Sequence, residues 1–222
     1  TDVSAIRVLA DIGFQIGHLK DASHLLERCL EIAPDFHAAR HSYSMVLMRR
    51  QEPEAALLEA EKLLAVEPDN PNFLTLKATI LVRIGEHEQA LEIYERVLNN
   101  YPNQARAQMS YGHALKTVGR LDESIEAYRK CVRLSPEVGE AYWSLANLKT
   151  VKLGAADIAA MEAALAALAG QESPRAEDLF HMHFALGKAH EDLGESQAAF
   201  RHYAEGNRLR RAGIVHDADA FS

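Results

Sequence analysis

Small and apolar residues recur at helical spacing along the first 136 residues. Ala22, Leu26 and Cys29 form one set. Ala56, Ala60 and Leu63 form a second, Ala90, Tyr94 and Val97 a third, and Ser124, Tyr128 and Cys131 a fourth. Within each set the members stand four and then three residues apart, which puts them on one face of a helix. Beyond each set comes a proline, at 34, 68, 102 and 136, a constant step of 34. Proline cannot continue a helix, so it stops each one. Gly17, Gly85 and Gly119 precede three of the sets and supply the left-handed residue that ends the helix before. The second unit has Gln51-Glu52-Pro53 there instead, with its proline near a helix start. The pattern predicts two helices and a turn in each of the segments 3–34, 37–68, 71–102 and 105–136.

Two less regular units follow. The fifth, 139–170, opens with "EAYWSLANLKTVKL", which reads as a helix, and continues with the alanine-rich "AADIAAMEAALAAL". It has no closing proline. The sixth, 174–211, has Ser173-Pro174 as a cap followed by a first helical residue, and a first helix extended at its start. Gly187, Gly194, Ala199 and Tyr203 continue the earlier spacing.

The step of 34, the small-large-small offsets and the terminal proline resemble the tetratricopeptide repeat (TPR). That resemblance implies an all-α fold: a right-handed TPR superhelix, or α-solenoid, of about six helix-turn-helix repeats. The expectation is one solenoid domain over 1–222, with a C-terminal tail at 212–222.

Net charge is −8, which argues against nucleic acid as a general partner. No apolar run has the length of a membrane span, and residues 1–20 lack the pattern of a signal peptide. A start at Thr1 reads as processing or trimming. Phosphate-binding, nucleophile-elbow and zinc signatures are all missing. His181 and His183 are two apart and point to different faces, while His183 and His190 share a face two turns apart, so no metal is expected. Cys29 and Cys131 read as small buried hydrophobes in a reducing cytoplasm, and the tyrosines at 94, 128 and 203 as packing between helices.

In TPR proteins positions 2, 5, 9, 12 and 13 of each repeat face a groove. Carried onto this chain, they are Ala38, His41, Met45, Met48 and Arg49 in repeat 2, and Asn72, Thr75, Thr79, Val82 and Arg83 in repeat 3. Repeat 4 gives Arg106, Met109, His113, Lys116 and Thr117, and repeat 5 gives Glu140, Trp143, Asn147, Thr150 and Val151. Repeats 2–4 thus place four Lys/Arg and no Asp/Glu at fifteen positions of an acidic chain. A basic groove softened by methionine is implied, with an acidic, extended peptide or protein segment as its ligand. Trp143 is the only tryptophan and a candidate anchor. The carboxylate clamp of some TPR proteins does not carry over, because Arg7 and Asp11 stand where it wants lysine and asparagine. Nor does the asparagine ladder of sugar-transferring relatives, whose places hold Ser42, Ser110 and Ser144.

Residues 139–220 are similar to bacterial TPR-containing sulfotransferases, through "AYWSLANLKT", "AAMEAAL", "HFALGKAHEDLGESQAAFRHYAEGNRLRR" and "HDAD". In that family a TPR array precedes a catalytic domain that uses 3′-phosphoadenylyl sulfate and opens with a Pro-Arg-Ser-Gly-type loop. No such loop occurs here, so no catalytic residue and no cofactor is expected of this chain, and its end reads as a joint to that domain. The expected function is a non-catalytic scaffold that binds a peptide or protein, its own downstream catalytic domain included. The alternative is a stand-alone TPR adaptor unconnected with sulfuryl transfer. Homodimerisation through the terminal helices is a further expectation.

Overall fold

The residue before a proline is sterically kept out of the helical region, and this sets where four helices stop. The computed structural model describes residues 2–172 and 174–212, which hold twelve α-helices and no strand. Ala33, Glu67, Tyr101 and Ser135 stand before the repeat prolines at φ −134°, −127°, −133° and −144°. Each closes its helix one residue after the last helical one.

The chain divides into two compact units, residues 1–102 and 103–222. Unit 1 holds α1 (Val3–Gln15), α2 (Leu19–Ile32), α3 (His37–Arg49), α4 (Pro53–Val66), α5 (Pro71–Ile84) and α6 (His87–Asn100), each packed on the next. Unit 2 holds α7 (Ala105–Thr117), α8 (Leu121–Leu134), α9 (Gly139–Ala146), α10 (Ala155–Ala169), α11 (Ala176–Asp192) and α12 (Ser196–Ala212).

The positions that define the pattern are the core. Ala22, Leu26 and Cys29, with Ala56, Ala60 and Leu63, are fully buried, and Ala90, Tyr94 and Val97 nearly so. In the fourth repeat Ser124, Tyr128 and Cys131 are fully buried. Close approach also needs a small residue on the first helix. A Cβ at Gly112 would meet the Tyr128 ring at 2.6 Å, and one at Gly187 would meet the Tyr203 ring at 2.7 Å. A buried hydroxyl ties the same two levels together from either side. Ser44 Oγ donates to the Ala56 carbonyl at 2.9 Å, and Ser124 Oγ donates to the Gly112 carbonyl at 2.8 Å.

The fifth unit departs from expectation. α9 ends at Ala146, and residues 147–154 run on without helix, so the helix read over "EAYWSLANLKTVKL" is half as long. Leu148 and Leu153 are 6% and 2% exposed and join the buried cluster from this irregular segment. Apolar residues that scan as helical are thus buried without a helix. α9 packs on α8 and on α11, and α10 lies against α11 as well. The α9–α11 approach is tight: a Cβ on Gly139 would fall 2.1 Å from the Asp178 carbonyl oxygen. Asp157 anchors α10, accepting from the Gly154 amide at 3.1 Å and from Arg129 of α8 at 3.3 Å.

The sixth unit starts late. α11 begins at Ala176 with Arg175 before it, so Pro174 is not its first residue. Ser173, read as its cap, lies outside the described residues, as does the tail beyond Ala212. α11 is 17 residues long against 13 or 14 for the first helices of repeats 1–4, which is the expected extension. The exposed residues of α12 are mostly polar, with Phe200 at 73% exposure and the smaller Ala204 and Ala212 as the apolar ones. No helix of the described residues is long and apolar enough to cross a membrane.

Candidate functional site

In unit 1 the candidate residues lie on α3 and α5. Arg49 and Arg83 are exposed, near the C-terminal ends of their helices, where a cation is favoured. Arg49 rests 5.1 Å over the Phe14 ring. Among the described residues neither arginine has a carboxylate partner. Met45 is exposed, whereas Met48 packs against the Leu47–Ile80 cluster. His41 is half-buried beside Phe73, with ring centroids 6.4 Å apart. Burial pushes its imidazole below the ordinary value, and nearby Asp11 partly opposes this. Thr79 is turned to internal duty, with Oγ1 2.9 Å from both the Thr75 carbonyl and Tyr94 Oη.

In unit 2 the set splits. Lys116 is exposed and has no ion pair among the described residues. Arg106 is exposed, 3.9 Å from the buried Asp178. Met109, expected as an apolar spot for a ligand, is 9% exposed and belongs to the buried cluster, so its thioether is spent on packing. His113 is held from two sides. Its Nδ1 lies 2.8 Å from Tyr128 Oη, and its Nε2 lies 3.3 Å from Glu140 Oε1, close enough for attraction but outside hydrogen-bond geometry. That contact, ahead of His181 and Arg106, holds the Glu140 carboxyl below the usual range. Asn147 is exposed at the C-terminal end of α9.

Trp143 opens onto a cavity of about 350 Å³ lined also by His181, Phe184, Tyr203, Asn207 and Arg210. The Trp143 and Phe184 rings are 5.5 Å apart. Gly206 lets α12 close on Phe184, since a Cβ there would meet the ring at 2.8 Å. Tyr203 Oη donates to Glu191 at 2.8 Å, which turns the hydroxyl outward and leaves the ring to the cavity. The groove positions alone do not point to this site, because they lie on first helices and Asn207 and Arg210 lie on a second one. The signal available was spacing: 203, 207 and 210 fall on one face of α12.

Beside it is a histidine cluster. His183 Nδ1 is 3.0 Å from His202 Nδ1, and His202 stacks on His190 at 5.4 Å. Among the described residues no group of three or more His, Cys, Asp or Glu has the arrangement of a metal site. Cys29 and Cys131 are both buried free thiols, and burial pushes Cys131 up to about 12.

Tetratricopeptide-repeat family models match residues 14–80, 47–117 and 105–138, together more than half of the chain. A thermophilic TPR protein of Thermus thermophilus is similar in fold, with 18% identity, TM-score 0.65, and 92% of this chain and 98% of that one covered. MamA from Desulfovibrio magneticus RS-1, residue 41 to its end, has 18% identity and TM-score 0.52 over 95% of this chain and 96% of its own. A double mutant of MamA RS-1 has 18% identity and the same TM-score, 0.52, over 95% of each chain. No curated protein matches the sequence.

Proposed function

The chain belongs to the tetratricopeptide-repeat family, and from that premise we propose that it is a non-catalytic scaffold binding an acidic, extended peptide or protein segment. One observation carries the reading. Arg49, Arg83 and Lys116 are exposed cations without ion pairs among the described residues, in a chain with 32 acidic and 24 basic residues. Within unit 1, Arg49 and Arg83 on the first helices α3 and α5 are without a carboxylate and attract an anionic partner. Exposed Met45 gives that surface an adaptable apolar point. Replacing Arg49 and Arg83 together by glutamate should weaken a fluorescently labelled poly-aspartate peptide at least tenfold, with the helical circular dichroism intact. Unchanged affinity would refute the basic surface.

The similarity of residues 139–220 to TPR-containing sulfotransferases supports a scaffold that serves a sulfuryl-transfer domain. Its check is binding of 3′-phosphoadenylyl sulfate. A longer product should bind the donor and the 222-residue chain should not. Two buried free thiols suit a reducing cytoplasm.

A further inference from the structure

The cavity between α9, α11 and α12 combines two kinds of lining. On one side are the rings of Trp143, Phe184 and Tyr203. On the other are Arg210, Asn207 and His181, three polar residues without a hydrogen bond or ion pair among the described residues. Arg210 is exposed and has no ion pair among the described residues, and Asn207 makes no hydrogen bond among them. His181 Nδ1 is buried and has no hydrogen-bond partner there. The carboxylates that could have neutralised this side are already engaged. Glu140 faces His113, Asp178 faces Arg106 and Arg175, Glu177 faces Arg175, and Glu191 takes the Tyr203 hydroxyl and Lys188; Glu140, Glu177 and Asp178 reach His181 only through their field, without a hydrogen bond to it. A buried imidazole nitrogen left unpaired costs free energy that a bound donor or acceptor would recover. The lining as a whole suits an apolar planar body with an anionic group next to it.

We propose that this cavity receives an aromatic side chain of an acidic peptide, with the neighbouring carboxylate on Arg210 and the peptide's polar groups on Asn207 and His181. At about 350 Å³ the space suits one large side chain and its flanking backbone rather than a cofactor. Offset or edge-on contact with three rings favours an aromatic side chain over an aliphatic one. A guanidinium at the rim favours a carboxylate. The proposal deepens the peptide-binding reading and rests on it, but it assigns specificity to unit 2, whereas the arginine pair tested above lies in unit 1.

Trp143 is the chain's only tryptophan, so its emission reports on this cavity alone. The full chain is titrated with the pentapeptide Gly-Asp-Phe-Asp-Gly, acetylated and amidated. A saturable change in emission is expected. Alanine in place of the phenylalanine, or asparagine in place of both aspartates, should each weaken binding about tenfold or more. Arg210→Gln should do the same for the parent peptide, while Lys20→Gln, which removes an equal charge from exposed α2, should leave the emission titration unchanged. A flat emission up to millimolar peptide would overturn the site, as would an Arg210→Gln chain that binds as well as the original. Equal binding of free 3-phenylpropionate would overturn the peptide assignment in favour of a small aromatic acid.

Discussion

Gln51 has φ of 65° at the place in its repeat where Gly17, Gly85 and Gly119 have 87°, 105° and 84°. The turn is the same in all four. The amides of His18, Glu52, Glu86 and Arg120 each donate to the carbonyl five residues back, at 2.8 to 3.0 Å. The backbone therefore takes the left-handed turn whether or not glycine is present, and the Cβ of Gln51 bears the strain. Gln51→Gly should stabilise the chain by roughly 0.5–1 kcal/mol, the relief of that strain less the extra entropy of an unfolded glycine. A higher urea midpoint with unchanged slope would show it. At this scale the sequence was readable. The small, large and third positions of each repeat, and the pre-proline residues, sit where their chemistry put them. The exceptions were Met109, Met48 and Thr79, whose groove positions came from a family pattern rather than from their neighbours, and whose side chains are packed or bonded within the fold.

Among elements, α1 is the one with most exposed apolar surface. Val8, Leu9, Ile12 and Ile16 are 48%, 55%, 49% and 58% exposed. Their spacing makes a stripe along one side of the helix. This supports the proposed homodimer through terminal helices, since large exposed apolar residues in a row mark an interaction surface. Sedimentation should show a concentration-dependent dimer that Ile12→Asp abolishes. A monomer at every concentration for the unmodified chain would exclude it. Element boundaries were legible wherever a proline or glycine set them. They were not legible at 147–154, where Leu148 and Leu153 kept a helix-like period yet are buried from irregular backbone, because α11 fills the place beside α9. The cavity was hidden for a related reason. Its lining comes from three helices, and the repeat pattern singles out only Trp143 and Tyr203, the tyrosine as packing between helices.

For the whole molecule the titration of histidine matters most. Burial holds His41, His181, His183 and His202 below their ordinary value of 6.5. His202 is pushed down to about 4, by burial first and then by His183 and His190. Between pH 6.5 and 4 the unfolded chain therefore binds more protons than the folded one, and stability falls as pH drops through that window. Above 6.5 these groups contribute no slope. The Nδ1–Nδ1 contact of His183 and His202 needs one donor and one acceptor, and so fails when both rings are charged. Thermal midpoints should decline from pH 6.5 to 4.5, and His202→Asn should flatten part of that decline. An equal slope in the variant would show that the cluster is not responsible.

The displaced pairing of α9 has a consequence for how the chain is assembled in time. In repeats 1–4 the two helices of a hairpin are joined by turns of a few residues, so each hairpin closes with little loss of chain entropy. α9 must wait for α11, whose first residue is 30 positions beyond the last of α9, with α10 between them. The earlier repeats can nucleate one by one, as in a linear array of nearest neighbours. α11 and α12, joined by three residues, close as locally as those repeats, but adding α9 to them costs the closure of a far longer loop, so Trp143 reaches its place beside Phe184 only after that loop is closed.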